Sequence, residues 1–421
     1  MSDLLGWLFA RQRFGIKPGL ERVYSLLERA GNPETRFETV LVGGTNGKGS
    51  TASTLASILT AAGRRTGLFT SPHLSYFSER FQIDGERVSA EVVEATLQTL
   101  KPRAEAVEAT FFEIVTVLAC QLFEKAGVET AVLEVGLGGR YDATNAIDPV
   151  LSILTNVSLD HMQVLGDSVE AIAKDKAGIL RPGKRALTTA TGAGLEVIRD
   201  EAARLGSQLL VLGADFQAEV AAATWAGLEL SVTSPWGSVS VHSPLIGRHQ
   251  AANVALAVTA AWALGLSNEA VEEGVRLTKW PGRLERLIYQ NRTVLFDGAH
   301  NPAAAQTLRA VLAELGVTGF TLVAGVGQDK DVAGVLSPLV ADADHVIFTK
   351  ASSSPRAAEP TDLAEVVPGA LLEPHPRLAL ERAVALTSEK DVIVVAGSLY
   401  LVGELRPYVL GEVGEGRVRW Q

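Results

Sequence analysis

Residues 44–50 read Gly-Thr-Asn-Gly-Lys-Gly-Ser and join an apolar run to a helical pattern. Glycines let a backbone turn tightly and aim its N–H groups at anionic oxygens, and the N-terminus of a following helix adds its dipole. Lys48 is spaced to reach terminal phosphates, and a hydroxyl after it can meet a divalent cation. The strict pattern G-x-x-x-x-G-K-[ST] is broken twice, because Gly49 follows the lysine and the first glycine is too close. The competing reading is an ordinary Gly-rich strand-to-helix turn. Strand, lysine, hydroxyls and helix together favour a phosphate cradle built from Thr45, Asn46, Gly47, Lys48, Gly49 and Ser50.

Other side chains could serve the same chemistry. Glu134 ends the apolar run TAVLEV, where it reads equally as a metal ligand or as a turn carboxylate before GLGGR. His161 follows another strand-like run. Magnesium prefers oxygen ligands, so a hydrogen-bonded histidine competes with a metal-binding one. Lys176, beside Asp175, reads from its neighbours as half of an ion pair. Asp297 and His300 follow the run VLF; Asp297 is too far from the helix starting near Pro302 to be its simple N-cap, and Asn301 fits that position better. Arg283 follows Trp280-Pro281-Gly282 and is either a phosphate-reaching arginine or a surface charge. The loop SSSPRAA (352–358) reads as a substrate contact or a surface loop, with nothing to choose between them.

These residues need a frame that gathers strand ends. Continuous apolar runs at 39–44, 130–136, 150–157, 294–299, 320–326, 345–350 and 391–397 have the character of parallel strands covered on both faces. Between them lie amphipathic stretches such as 54–63 and 302–316, each ending at a glycine. The alternation predicts an α/β fold with mostly parallel sheets. Residues 215–246 lack helical periodicity and predict an antiparallel insert; a helix at 249–265 follows. A linker at 279–287 divides the chain into an expected first domain carrying the glycine loop, 1–287, and a smaller domain, 288–421.

Composition narrows the function further. The 421 residues carry a net charge of −10, a poor basis for non-specific binding to nucleic acid or membrane surfaces. An anionic substrate would need a local basic site. Cys120 is the single cysteine, which excludes an internal disulfide, and its apolar setting reads as core. Asp3 stands where a signal peptide would be basic, and the most apolar run, 392–403, is too short to span a bilayer. A cytoplasmic location is the expectation.

GTNGKGS followed by TSPHL (70–74) resembles folylpolyglutamate synthase/dihydrofolate synthase, of the bacterial bifunctional type, within the Mur ligase superfamily. Further blocks keep the family's order: GLERV (19–23), TFFE (110–113), EVGLGGRYDATN (134–145), LDHMQVLG (159–166), KDKAGIL (174–180), HQAAN (249–253), PGRLE (281–285) and DGAHNP (297–302). The resemblance implies a P-loop ATPase domain and a smaller Rossmann-like domain with the active site between them. It implies that Thr45, Asn46, Gly47 and Lys48 hold the ATP phosphates, and that Asn253, Arg283 and Asp297 complete the nucleotide site with His300 beside it. Ser71, Glu134 and His161 become magnesium ligands, at a pair of sites, and Lys176 becomes a carbamylated lysine. Gly19, Leu20, Glu21, Arg22, Thr110, Phe111, Phe112, Glu113, Tyr141, Asp142 and Ala143 fall where the family binds its pterin substrate.

The implied reaction is ATP-dependent ligation of L-glutamate to a folate-type carboxylate, dihydropteroate or a folylpolyglutamate, through an acyl phosphate. Lys48, Lys176 and His300 are the expected catalytic residues, the partners are small molecules only, and a monomer is expected. The rivals are a cell-wall-type ligase acting on a nucleotide-sugar acid and a P-loop ATPase that is not a ligase. The first usually carries an extra N-terminal domain, for which a P-loop strand beginning near residue 39 leaves no room.

Overall fold

The computed structural model describes residues 3–14 and 19–412; residues 1–2, 15–18 and 413–421, which the two expected domains include, lie outside the described residues. The first sheet contains β1 (Glu38–Gly43), β2 (Thr66–Phe69), β3 (Phe81–Ile83), β4 (Glu86–Arg87), β5 (Thr130–Glu134), β6 (Leu151–Leu154), β7 (Arg185–Thr188) and β8 (Gln208–Val211). Their spatial order is β4-β3-β2-β5-β1-β6-β7-β8, parallel except at the β2–β3 and β3–β4 pairs.

Period-two alternation explains why the central strands are apolar throughout. Val40 and Val42 of β1 face one core, with the helices Lys48–Ala61 and Gln250–Ala263. Leu41 faces the opposite core, with the helix Phe111–Lys125. Both faces are covered, so every second residue has no solvent side to serve.

A second sheet, β9 (Gln217–Thr224), β10 (Gly227–Ser234) and β11 (Gly237–Ser243), is antiparallel, as expected for 215–246, and its apolar face joins the core of the helix Gln250–Ala263. The third sheet contains β12 (Glu285–Tyr289), β13 (Arg292–Phe296), β14 (Phe320–Ala324), β15 (His345–Phe348), β16 (Leu371–Leu372) and β17 (Val392–Ala396). Its order is β12-β13-β17-β14-β15-β16, parallel except for the antiparallel edge strand β12. The expected division at 287 falls inside β12, which pairs with β13. We propose that the division lies just before it, in the stretch 279–284.

All seven apolar runs are strands. The strands β2, β7 and β8 lie outside those runs.

Candidate active site

Four neighbouring parallel strands, in the order β2-β5-β1-β6, end on one edge of the first sheet. Ser71 follows β2, Glu134 ends β5, the glycine loop follows β1 and His161 follows β6. The chain departs to opposite sides of β1, and ligands of open α/β sheets bind at such a switch point.

The loop is shaped by close approach. Gly44 and Gly47 have φ of +130° and +86°, and a Cβ at either would overlap the Thr155 hydroxyl or the Asn253 carboxamide, respectively. A Cβ at Gly49 would enter the Trp280 ring. The segment after β6 supports the loop: the Thr45 N–H donates to the Asn156 carbonyl at 2.8 Å and the Asn46 N–H to Asn156 Oδ1 at 2.9 Å. The Thr45 hydroxyl is engaged with Ser158, accepting from its N–H at 3.1 Å. The Lys48 ammonium donates to the carbonyls of Gly44 and Thr45 at 3.2 and 3.0 Å.

Lys176 ends the helix Val169–Lys176 and donates to the Gly44 carbonyl at 2.9 Å, so its hydrogen bond goes to the loop and not to Asp175. Burial, followed by the nearby Lys48 charge, brings its ammonium down to about 7, while Asp175, Asp160 and Asp142 pull the other way.

Glu134 is buried, and its Oε2 accepts from the Ser71 N–H at 3.0 Å. Burial raises its pKa against the opposing pull of Lys48, the Ser71 N–H, Arg283 and Arg80. His161 sits in the left-handed region at φ +48°. Burial holds its pKa down, Asp160 opposes this, and Lys330, Lys48 and Lys176 reinforce it. Among the described residues no group of three or more His, Cys, Asp or Glu side chains gathers as a metal cage. A carboxylate and a serine hydroxyl are oxygen donors of the kind magnesium takes alongside water and phosphate oxygens, whereas the His161 imidazole is an unusual ligand for it.

The third sheet contributes the opposite wall. After β13, Asp297 accepts from the N–H groups of Leu284 and Ala299 at 2.9 and 2.8 Å. Burial raises its pKa, opposed by Arg283. Asn301, as expected, caps the helix Pro302–Glu314 by accepting from the Ala304 N–H at 2.8 Å. His300 Nδ1 donates to the Gly298 carbonyl at 2.7 Å, which leaves Nε2 as an acceptor. Burial pushes this imidazole down to about 4. Asn253 Nδ2 donates to Gln250 Oε1 at 2.8 Å.

These walls enclose one cavity of about 2000 Å³, bordered by Thr45–Ser50, Ser71, Glu134, His161, Asn253, Arg283, Asp297 and His300. Thr110–Glu113 and Tyr141–Ala143 border it too. Gly19, Leu20, Glu21 and Arg22 do not; Arg22 instead pairs with Glu113 at 2.9 Å, behind the wall. Lys176 borders a small adjoining void of about 30 Å³, which also touches Thr45, Lys48 and His161. Sequence reasoning passed over Arg80, Lys330, Ser398 and Tyr400 on the same walls and left Arg356 undecided. Lys330, Ser398 and Arg356 follow C-terminal ends of parallel strands in the third sheet, a position that could have singled them out.

A phosphate-type loop in one α/β domain, facing strand ends of a second across a shared cavity, defines the class of Mur-type ligases. Residues 42–261 match the Mur ligase middle domain, and residues 282–399 match the Mur ligase glutamate ligase domain. The dihydrofolate synthase/folylpolyglutamate synthase of Bacillus subtilis is 33% identical, over 96% of this chain and 98% of its own. A probable bifunctional folylpolyglutamate synthase/dihydropteroate synthase of Haloferax volcanii is 38% identical over 96% of this chain, which spans only 50% of that longer protein. E. coli FolC, solved in complex with DHPP and ADP, superposes with a TM-score of 0.89 at 31% identity, covering 97% of this chain and 98% of its own. A Yersinia pestis bifunctional folylpolyglutamate synthase/dihydrofolate synthase complexed with AMPPNP and Mn ion gives 0.86 at 32% identity, covering 97% and 98%. The chain belongs to the folylpolyglutamate synthase/dihydrofolate synthase family of Mur ligases. Among the described residues no helix is long and apolar enough to cross a membrane.

Proposed function

We propose that this chain joins L-glutamate to a folate-type carboxylate, dihydropteroate or a folylpolyglutamate, with ATP giving ADP and phosphate. One observation carries the reading: the P-loop and the strand ends of the third sheet border a single cavity of about 2000 Å³. Ordinary single-ligand pockets occupy roughly 300–1,000 Å³, so this one has room for a nucleotide and an acid together. The names and bound ligands of the relatives point the same way.

A carboxylate is a poor electrophile. Its oxygen attacks the γ-phosphorus, the bond to ADP breaks, and the acyl phosphate formed carries a good leaving group. The glutamate amine then attacks the acyl carbon, phosphate departs and the amine loses its proton. Both partners in the first step are anionic, so charge neutralisation governs the barrier. Lys48 turns from its loop carbonyls to the terminal phosphates, and the main chain of Thr45–Ser50 with the helix N-terminus holds them. A single well-placed donor contributes ~3–4 kcal/mol.

Ser71, Glu134 and His161 would hold magnesium, which supplies further neutralisation of phosphate oxygens. Asn253, Arg283 and Asp297 complete the nucleotide site. His300, neutral at working pH, accepts a hydrogen bond through Nε2 from the incoming amine. The Thr110–Glu113 and Tyr141–Ala143 segments line the acid's place, with Gly19–Arg22 acting from behind through the Arg22–Glu113 pair. Lys176, whose amine is half neutral near pH 7, reacts with CO₂ to give a carbamate and a released proton, turning a cation beside the phosphates into an anion.

The test is phosphate release with ATP, Mg²⁺ and glutamate. Release is expected with dihydropteroate and with tetrahydrofolate, and none from Lys48→Ala, which should melt like the parent. Release with tetrahydrofolate alone removes the first activity, and release with neither removes the ligase reading. A parental rate in Lys48→Ala overturns the phosphate cradle.

A further inference from the structure

The loop between β2 and β3, residues 70–76, carries Ser71 near its start and touches the second domain through its later residues. Leu74, three residues beyond Ser71, is 9% exposed, yet it is not packed in the core of its own sheet. It belongs to the cluster of Val294, Phe296, Val395, Leu401, Val402 and Leu405, and every other buried member of that cluster comes from residue 294 onward. A Cβ on Gly282 of the linker would strike both Leu74 and Val402, so linker, loop and third-sheet domain meet at this side chain.

Polar contacts fix the loop around the seated leucine. The N–H groups of Leu74 and Ser75 both donate to Glu79 Oε2, at 2.7 and 2.8 Å. The Ser75 hydroxyl donates to the Gly403 carbonyl at 3.0 Å, in the helix Leu399–Leu410. Tyr76 Oη donates to Glu412 Oε2 at 3.3 Å. At the other end the Ser71 N–H holds Glu134, and His73 Nδ1 accepts from Arg80 Nε at 2.9 Å. A span of six residues therefore ties the carboxylate beside the phosphate loop to the second domain.

We propose that Leu74 is a positioning residue, a hydrophobic key of the ATP-binding domain seated in the second domain, through which domain closure sets Ser71 and Glu134. The proposal rests on the ligase reading for what closure accomplishes, but the mechanical link stands on the contacts alone. Packed cores switch between discrete arrangements and do not deform continuously, so an unseated key leaves Ser71 without a fixed place.

The experiment compares the full chain with Leu74→Ala and Leu74→Met. Leu74→Ala should keep nucleotide affinity without metal within about threefold of the parent, measured by calorimetry with ADP. Its kcat should fall tenfold or more, and the Mg²⁺ concentration for half-maximal turnover should rise severalfold. Leu74→Met, which refills the seat, should restore both. Spin labels at the exposed positions Gln98 and Glu389, one in each domain, should show a broadened interdomain distance in Leu74→Ala and the parental one in Leu74→Met. Parental kcat and Mg²⁺ dependence in Leu74→Ala overturn the key, as does a parental distance distribution. If the parent itself releases no phosphate, the ligase reading fails separately, and the distance measurement still decides the link.

Discussion

A lysine with its ammonium on a carbonyl of the phosphate loop has two chemical lives. With its pKa brought down to about 7 by burial, Lys176 is largely neutral at pH 8 and can react with CO₂. The unfolded chain holds that proton up to about 10.4. Between pH 7 and 10.4 the unfolded state therefore binds more protons, and stability rises with pH across this window. The cost of the buried ammonium is fully present below 7 and relieved above 10.4. With ¹³C-bicarbonate at pH 8 the protein should show a carbamate resonance that shrinks as the pH is lowered through 7 and is missing from Lys176→Met. That variant should also lose the slope of urea midpoint against pH between 7 and 10. No resonance in the parent at pH 8 would leave Lys176 a plain amine.

At the scale of elements, the strand β1, its loop and the helix Lys48–Ala61 form one device, and its glycines are fixed by what presses on them. Gly47→Ala would strain a φ of +86° and push the Asn253 carboxamide aside. Backbone strain of this kind costs ~1–3 kcal/mol. Nucleotide affinity should fall at least tenfold in calorimetry with ADP, while a modest drop in melting temperature shows that the sheet persists. Unchanged affinity would mean that the loop does not meet the nucleotide. The same device shows what the sequence makes legible. Apolar runs announce the strands buried on both faces, and the glycine-lysine spacing announces the loop. The strands β2, β7 and β8 lie outside the seven apolar runs, and β12 alternates because it lies at an edge. On the third sheet, the missed Lys330 and Ser398 and the undecided Arg356 lack a local signal. Lys330, Ser398 and Arg356 belong to no spacing pattern, and only the strand order brings them to the cavity. The seat of Leu74 is invisible for a related reason, since an apolar residue in a loop says nothing about which core receives it.

The whole molecule has a second tie across the cavity, remote from Leu74. The turn between β9 and β10 carries Trp225 against the third-sheet core, with the Arg286 guanidinium 5.4 Å from its ring centroid. Ile246 enters that same core, and Arg248 pairs with Glu314 on the helix Pro302–Glu314. The antiparallel insert thus acts as a strap from the ATP-binding domain to the second domain. None of its contacting side chains borders the cavity, so a substitution there changes the link between the domains without changing the lining of the site. An exposed cation–π contact is worth ~0.5–1 kcal/mol. Removing it with Trp225→Ala should therefore reduce the closed population, raising the apparent KM for ATP about two- to fivefold at nearly constant kcat. Small-angle scattering should give a larger radius of gyration for the free variant, returning to the parental value with a non-hydrolysable ATP analogue and Mg²⁺. A lowered kcat at saturating ATP would place Trp225 in the same transmission as Leu74. Unchanged KM and scattering would show that the seated leucine and the linker hold the domains without the strap.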